Sequence, residues 1–272
     1  MTQTLLRKTV TLMLLVVLAL CVLVLAACDE NDDGIVDPEG TIAIYNGTGA
    51  WPDFAQAVAA ALDTLGYDTQ FITESDAQSG LDGFSVVIIG GGEPLEIASA
   101  LSFTGTAKIR QLVSSGGGFI GLGNGAYLAA DSLVYEGVGS LGSPPIGLYE
   151  GTAHGPITAL APNEAHSMAL VTITNTGFDP ELVGSISSLY RGGPDFQINS
   201  PVYGEIARYV QVSASAGVYF ELGFGRVSLL SFHPEIEEDS PSDGTTFGDD
   251  LDDPDSELFL IRMMTEWCLR QF

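Results

Sequence analysis

This chain of 272 residues has little positive charge: nine Lys and Arg stand against 35 Asp and Glu, for a formal charge of −26. Nucleic acid and anionic lipid are therefore poor partners, because phosphate recognition needs clustered basic side chains. Histidine is scarce too. His154, His166 and His233 are too few and too scattered to argue a zinc centre, although His154 is also a weaker candidate for lining a pocket. There are only three cysteines, Cys21, Cys28 and Cys268, and no internal repeat. Once the first two are assigned below, no internal disulfide remains possible.

What the chain does have, at its start, is a long apolar run. Arg7 and Lys8 precede an uninterrupted stretch from Thr9 to Ala27 that ends Leu25-Ala26-Ala27-Cys28. Residues 1–27 read as an export signal, and small residues before Cys28 resemble the lipobox of bacterial lipoproteins, in which that cysteine carries the lipid. The other reading is an uncleaved membrane anchor, since the run is near the ~20 residues that span a bilayer. Either way the folded part is expected at a membrane, outside the cytoplasm, in the periplasm or at the cell surface. Without the signal the chain keeps seven basic and 35 acidic residues, a formal charge of −28. Such a charge favours solubility, cations or cationic partners.

Residues 28–40 form an acidic tether, and 41–272 suit one α/β domain. Thr41 to Asn46 reads as a buried strand. A helix opens at Pro52, with Phe54, Val58, Leu62 and Leu65 at helical spacing and Gly66 as its stop. Asp68 to Thr73 and Phe84 to Ile89 read as further strands, and Ala107 to Val113 as helix. This alternation predicts a doubly wound, mostly parallel, flavodoxin-like sheet, with ligands at the carboxyl ends of its strands. Between Ser140 and Val218 short runs such as Gly155-Pro156-Ile157-Thr158 and Leu170-Val171-Thr172-Ile173 predict an antiparallel extension of the same domain. Residues 236–257 form an acidic loop, and Glu235 to Glu257 hold eleven acids and no base.

Two segments carry the chemistry. Gly116-Gly117-Gly118-Phe119-Ile120-Gly121-Leu122-Gly123-Asn124-Gly125 reads as a loop, a buried strand and a tight turn into a helix. In a nucleophile elbow the central residue of such a turn carries the attacking side chain, and here that residue is Gly123. Later, Val227-Ser228-Leu229-Leu230-Ser231-Phe232-His233-Pro234-Glu235 is a hydrophobic strand that delivers a His and a Glu, a pair suited to orient an imidazole. At these residues the chain resembles the class I glutamine amidotransferase-like fold, and within it the domain at the N-terminus of some biotin-protein ligases. The resemblance covers about Thr41 to Phe272. It aligns a Gly-x-Cys-x-Gly elbow onto Gly121, Gly123 and Gly125, and a His-Pro-Glu strand end onto His233, Pro234 and Glu235. It also places an oxyanion loop at Gly90-Gly91-Gly92-Glu93-Pro94, and a Tyr-x-Gly-Gly turn at Tyr190-Arg191-Gly192-Gly193. It implies that Gly123 stands where the family has its cysteine, so cysteine-dependent chemistry is not expected. Ser115 lies before the strand, at the wrong end to substitute. Nothing resembles a ligase catalytic domain.

The resemblance leaves Gly123, His233 and Glu235 as a relic triad. With the side chain gone, space is expected above the elbow, flanked by backbone N–H groups of Gly91, Gly92 and Asn124 that would hold a carbonyl or carboxylate. Cys268, in an apolar helix, reads as a small hydrophobe. No cofactor is expected. Calcium has two weak candidates. Asp29-x-Asn31-x-Asp33-Gly34 opens like a calcium loop but has Gly40 where the bidentate carboxylate belongs, and Asp249, Asp250, Asp252 and Asp253 form a charge run. The favoured function is a membrane-anchored binding protein or pseudoenzyme of the cell envelope, for a small ligand or an envelope protein. The alternatives are a small-amide or ester hydrolase or transferase that uses His233 and Glu235, and an assembly module that acts through the acidic loop.

Overall fold

The computed structural model describes residues 40–135, 145–162, 165–174, 184–199, 203–238, 241–251 and 257–270. The signal run, Cys28, the tether up to Glu39, and Asp252 and Asp253 lie outside the described residues. The strands are β1 (Thr41–Tyr45), β2 (Thr69–Ile72), β3 (Phe84–Ile89), β4 (Gly118–Leu122), β5 (Ala130–Tyr135), β6 (Tyr149–Gly155), β7 (Ser167–Ile173), β8 (Gly184–Tyr190), β9 (Asp195–Ile198), β10 (Gly204–Tyr209), β11 (Ser215–Leu222) and β12 (Gly225–Leu230). The α-helices are α1 (Pro52–Thr64), α2 (Glu74–Ser79), α3 (Pro94–Ser114) and α4 (Leu258–Leu269).

Nine strands make one sheet in the order β2-β1-β3-β4-β12-β11-β10-β7-β8. The first five are parallel, and from β12 onward every pairing is antiparallel. The predicted doubly wound sheet with its antiparallel extension is therefore present. The sequence did not signal a second sheet, of order β5-β6-β9, in which β5 and β6 run parallel.

The parallel strands are apolar on both faces because both faces are covered. Ile42, Ile44, Val86, Ile88, Ile120 and Leu122 point to one layer, where they join Val58 and Leu62 of α1 and Leu260 and Met264 of α4. The alternate residues Ala43, Val87, Ile89 and Phe119 point to the other, with Ile97, Leu101 and Ile109 of α3. The period of two along each strand thus divides the core into two halves. Truncating one of these fully buried side chains, as in Leu62→Ala, is expected to cost about 2–5 kcal/mol.

Residues 107–113 do lie in a helix, but α3 extends further, from Pro94; Ser99, Thr104 and Gly105 blur its apolar stripe, and it kinks at Ser102 (φ 56°), where Gln78 Nε2 donates to the carbonyls of Ala100 and Leu101 at 2.9 and 3.2 Å. Two local expectations fail. The turn after β4 runs into a 3-10 helix over Gly123–Ala129 and then directly into β5, so no α-helix follows the elbow. Finally, β6 stops at Gly155, and residues 158–160 form a turn, whereas Leu170–Ile173 does lie in β7.

Candidate functional site

The carboxyl ends of β1, β3, β4 and β12 meet at one edge of the sheet, so the chain segments that follow them converge there. After β1 the chain turns through Gly49 and Ala50 into α1, and after β3 it turns through Gly90–Gly92 into α3. These two turns are joined by Trp51 N–H donating to Gly91 O (3.1 Å) and Glu93 N–H donating to Gly49 O (2.7 Å). A side chain at Gly91 would run into the Phe54 ring, at 2.6 Å from a Cβ built there, and one at Gly92 would meet Gly49 O at 2.5 Å. The oxyanion-type turn is thus small because aromatic rings and another backbone press on it.

The elbow follows the same logic. Gly123 has φ +49°, a left-handed conformation that is strained for any other residue. Gly125 lets the 3-10 helix lie against the β3 backbone, where a Cβ would overlap Ile89 O. Asn124 is fully buried, and its Nδ2 donates to Gly92 O at 2.8 Å, which ties the elbow to the turn after β3. Its Oδ1 accepts no hydrogen bond from any described residue.

His233 arrives beyond β12, held by its N–H donating to Leu189 O at 2.8 Å. Its ring is fully buried; Nδ1 lies 2.9 Å from Glu235 Oε1 and Nε2 3.4 Å from Arg191 O. Phe54 meets the ring edge to face at 4.5 Å between centroids. Glu235 Oε2, like Asn124 Oδ1, is buried and accepts nothing from the described residues. A Cβ added at Gly123 would overlap Cε1 and Nε2 of His233. The structure therefore brings Gly123, His233 and Glu235 together, but it corrects the expectation of space above the elbow: the imidazole itself fills the volume in which a side chain at position 123 would begin.

Sequence reasoning missed several neighbours. The Arg191 guanidinium stacks on Trp51 at 3.9 Å and on Phe247 at 4.8 Å from the ring centroids, with Phe54 at 5.8 Å. Ser231 Oγ accepts from Tyr209 at 3.1 Å, and Tyr190 donates to Gly193 O at 2.8 Å. Burial pushes the Tyr190 and Tyr209 hydroxyls far above the usual phenol range, so both act as donors at every physiological pH. Tyr190 and Arg191 were visible only as part of a Tyr-x-Gly-Gly turn, and Trp51 and Phe247 carried no motif signal.

The remaining candidates are not gathered here. His154 sits on β6 opposite Asp195 in the smaller sheet. His166 pairs with Asp250 (3.4 Å) and packs on Phe247 (5.0 Å). Asp250 is thus engaged by an imidazole, and among the described residues no group of three metal-ligating side chains forms. Cys268 is buried against Phe119 O and Arg226 O, and burial pushes its thiol far above the usual range, so it is no displaced nucleophile. Among the described residues no helix is long and apolar enough to cross a membrane. Open cavities of about 380 and 340 Å³ flank α3: the first sits by Gly83 and Gly117 at the amino ends of β3 and β4, the second by Phe103 and Ile146.

The family described as biotin-protein ligase, N terminal, matches residues 41–255. A glutamine amidotransferase crystal structure is similar with a TM-score of 0.56 at 21% identity, covering 75% of this chain and 94% of that one. A protein from Thermoplasma acidophilum, assigned as a GMP synthase subunit, is similar with a TM-score of 0.52 at 16% identity, covering 85% and 94%. At these identities the likeness is one of fold. No curated protein sequence matches the chain.

Proposed function

The chain belongs to the biotin-protein ligase N-terminal family, and from that membership and the geometry of its elbow we propose that it is a nucleophile-less binding protein or pseudoenzyme, lipid-anchored through Cys28 at the cell envelope. On this reading Gly123 stands in the position of the family's cysteine, and the two candidates to replace it do not: Cys268 is buried in α4, and Ser115 follows α3 at the opposite end of β4. Covalent acyl transfer needs an attacking atom that is absent here.

The observation that carries the binding reading is the pair of buried acceptors, Asn124 Oδ1 and Glu235 Oε2, on two residues beside the turn after β3. An unmet buried acceptor costs about 1–3 kcal/mol. Both atoms are enclosed, so a ligand with N–H donors, an amide or an ammonium group, supplies what both lack only where the elbow opens to admit it. A ligand present at 100 times its Kd adds about 2.7 kcal/mol to stability, which raises Tm by roughly 5–10 °C for a domain of this size. Thermal melting of the lipidated protein with a panel of small primary amides and amines tests this, with Asn124→Leu expected to abolish the shift. A panel with no active member overturns the binding reading.

The second reading, a hydrolase, is favoured by one feature, the intact His233–Glu235 hydrogen bond of 2.9 Å. It requires turnover of an amide or ester that disappears in His233→Ala. For the anchor, mass spectrometry of the mature N-terminus decides: an unmodified Cys28, or a chain starting at Met1, removes the lipoprotein reading.

A further inference from the structure

Because Asn124 Oδ1 and Glu235 Oε2 are enclosed, a ligand reaches them only if part of their cover moves. Phe54 packs on the His233 ring, and three segments meet at Phe54 through Trp51 (5.2 Å between centroids), Phe247 (4.8 Å) and the Arg191 guanidinium (5.8 Å). Two of these segments are tied down by their backbone. The turn that carries Trp51 is held to the turn after β3 by Trp51 N–H donating to Gly91 O at 3.1 Å and by a bridge between Ala50 and Gly92. The turn after β8 has three successive carbonyls engaged: Arg191 O lies 3.4 Å from His233 Nε2, Gly192 O accepts from the Tyr127 hydroxyl at 2.9 Å, and Gly193 O accepts from Tyr190 at 2.8 Å.

The third segment, residues 241–251, is fastened differently. It holds its own shape: Asp243 Oδ1 accepts from Thr245 N–H at 2.8 Å, Thr245 Oγ1 from Phe247 N–H at 3.1 Å, and Gly248 O from Leu251 N–H at 2.8 Å. Its Phe247 and Leu251 join Phe54, Ala57, Leu189 and Ile236 in a small apolar cluster separate from the two halves of the main core. A satellite cluster of this size can open while the core stays folded. The pairing of His166 with Asp250 adds little, because the Asp250 side chain is 76% exposed.

Phe247 is where this segment meets the site. The Arg191 guanidinium stacks on Trp51 at 3.9 Å and on Phe247 at 4.8 Å, so one cation is shared by a ring of the fixed wall and a ring of the loop. We propose that residues 241–251 are the lid of the elbow, latched by Phe247 on Arg191 and Phe54, and that a ligand enters when this latch lets go. The proposal rests on the binding reading given above, to which it adds the route of entry and the residues that govern it. Weakening the latch raises the population of open protein and leaves the two acceptors as they are.

The test is hydrogen–deuterium exchange on the full-length protein without ligand, read peptide by peptide. Two variants attack the latch from its two sides: Phe247→Leu keeps apolar bulk but loses the ring face, and Arg191→Met removes the cation. Exchange is expected to rise about 2- to 30-fold, the factor that loss of a cation–π contact allows, in peptides from the lid and also from Gly123–Ala129 at the elbow, with no change in β1 or β11. A rise confined to the lid overturns the proposal, because the loop then covers nothing. An equal rise in the core strands overturns it as well, since the variants then loosen the whole domain, and so does the absence of a rise in both variants. No ligand is present in this experiment, so its failure leaves the binding reading standing; that reading falls separately if the panel of amides and amines shifts no Tm.

Discussion

Placing a methyl group at position 123 tests the closed elbow directly. In Gly123→Ala two costs arise together. The left-handed backbone at φ +49° costs an alanine roughly 1–2 kcal/mol, and its Cβ overlaps the His233 ring, which is overpacking of about 1–3 kcal/mol. The expected loss is therefore about 2–5 kcal/mol, or a fall in Tm of roughly 4–20 °C at 2–4 °C per kcal/mol. His233→Ala should cost about 3–5 kcal/mol, because it strips the buried Glu235 of its partner. In the double variant the backbone strain stays, but the new methyl enters the volume the imidazole has left. The two losses should thus fall short of additivity by about 1–3 kcal/mol. Urea denaturation followed by Trp fluorescence measures all four corners of the cycle. Additivity within about 0.5 kcal/mol, or a Gly123→Ala protein as stable as the parent, would refute the claim that His233 occupies the space above the elbow.

Two further predictions concern thiols and pH. A Cβ at position 123 overlaps the His233 ring, so Gly123→Cys must push the imidazole aside and open the elbow. Its thiol then lies beside that imidazole and should alkylate faster than Cys268, while burial raises the Cys268 pKa and keeps that thiol silent until the chain unfolds. Competitive labelling with iodoacetamide and peptide mapping gives the ratio, and equal rates would count against His233 as the neighbour of position 123. Burial and the nearby Asp249 hold the Asp243 carboxyl above the usual range despite hydrogen bonds from Thr245 and Glu237. Because its folded pKa is raised, the stability it contributes is present below the unfolded carboxyl pKa and is lost as the pH rises through the folded value. Relative to Asp243→Asn, the parent should lose stability as the pH rises above the ordinary Asp pKa of about 3.9, and a difference that stays constant with pH in urea melts would count against a raised carboxyl there.

The parts of this molecule that were legible in its sequence are those in which local pattern and tertiary role coincide. Phe84–Ile89 is apolar throughout because β3 is covered on both faces, and the run needs no context to be read as a strand. Pro52 and Gly66 bracket α1 by backbone chemistry alone. At the elbow, Gly121, Gly123 and Gly125 announced a tight turn, and the His-Pro-Glu strand end announced a polar pair at the same edge. What the sequence hid is whatever depends on partners far along the chain. Helix α3 carries a serine at φ 56° that a glutamine of α2 braces, and no window of neighbouring residues reveals that support. The loop after His233 reads as a solvated charge run by composition, yet Ile236, Phe247 and Leu251 pack with Phe54 and Leu189, and Asp243 is buried.

The site itself shows why a glycine at the elbow is not the same as an empty pocket. An elbow glycine removes only the few atoms beyond its Cα, and a buried hole of that size forfeits packing on all its walls. That volume is occupied by the imidazole delivered after β12, and Glu235 and Phe54 hold the ring there. In this position the ring's Nε2 lies 3.4 Å from Arg191 O, and the His233–Glu235 pair is part of the core. Two buried acceptors beside the ring, Asn124 Oδ1 and Glu235 Oε2, are left without a donor among the described residues. Glycine at position 123 and the buried His-Glu pair are thus two sides of one packing solution, in which the ring fills the volume that a side chain at 123 would take.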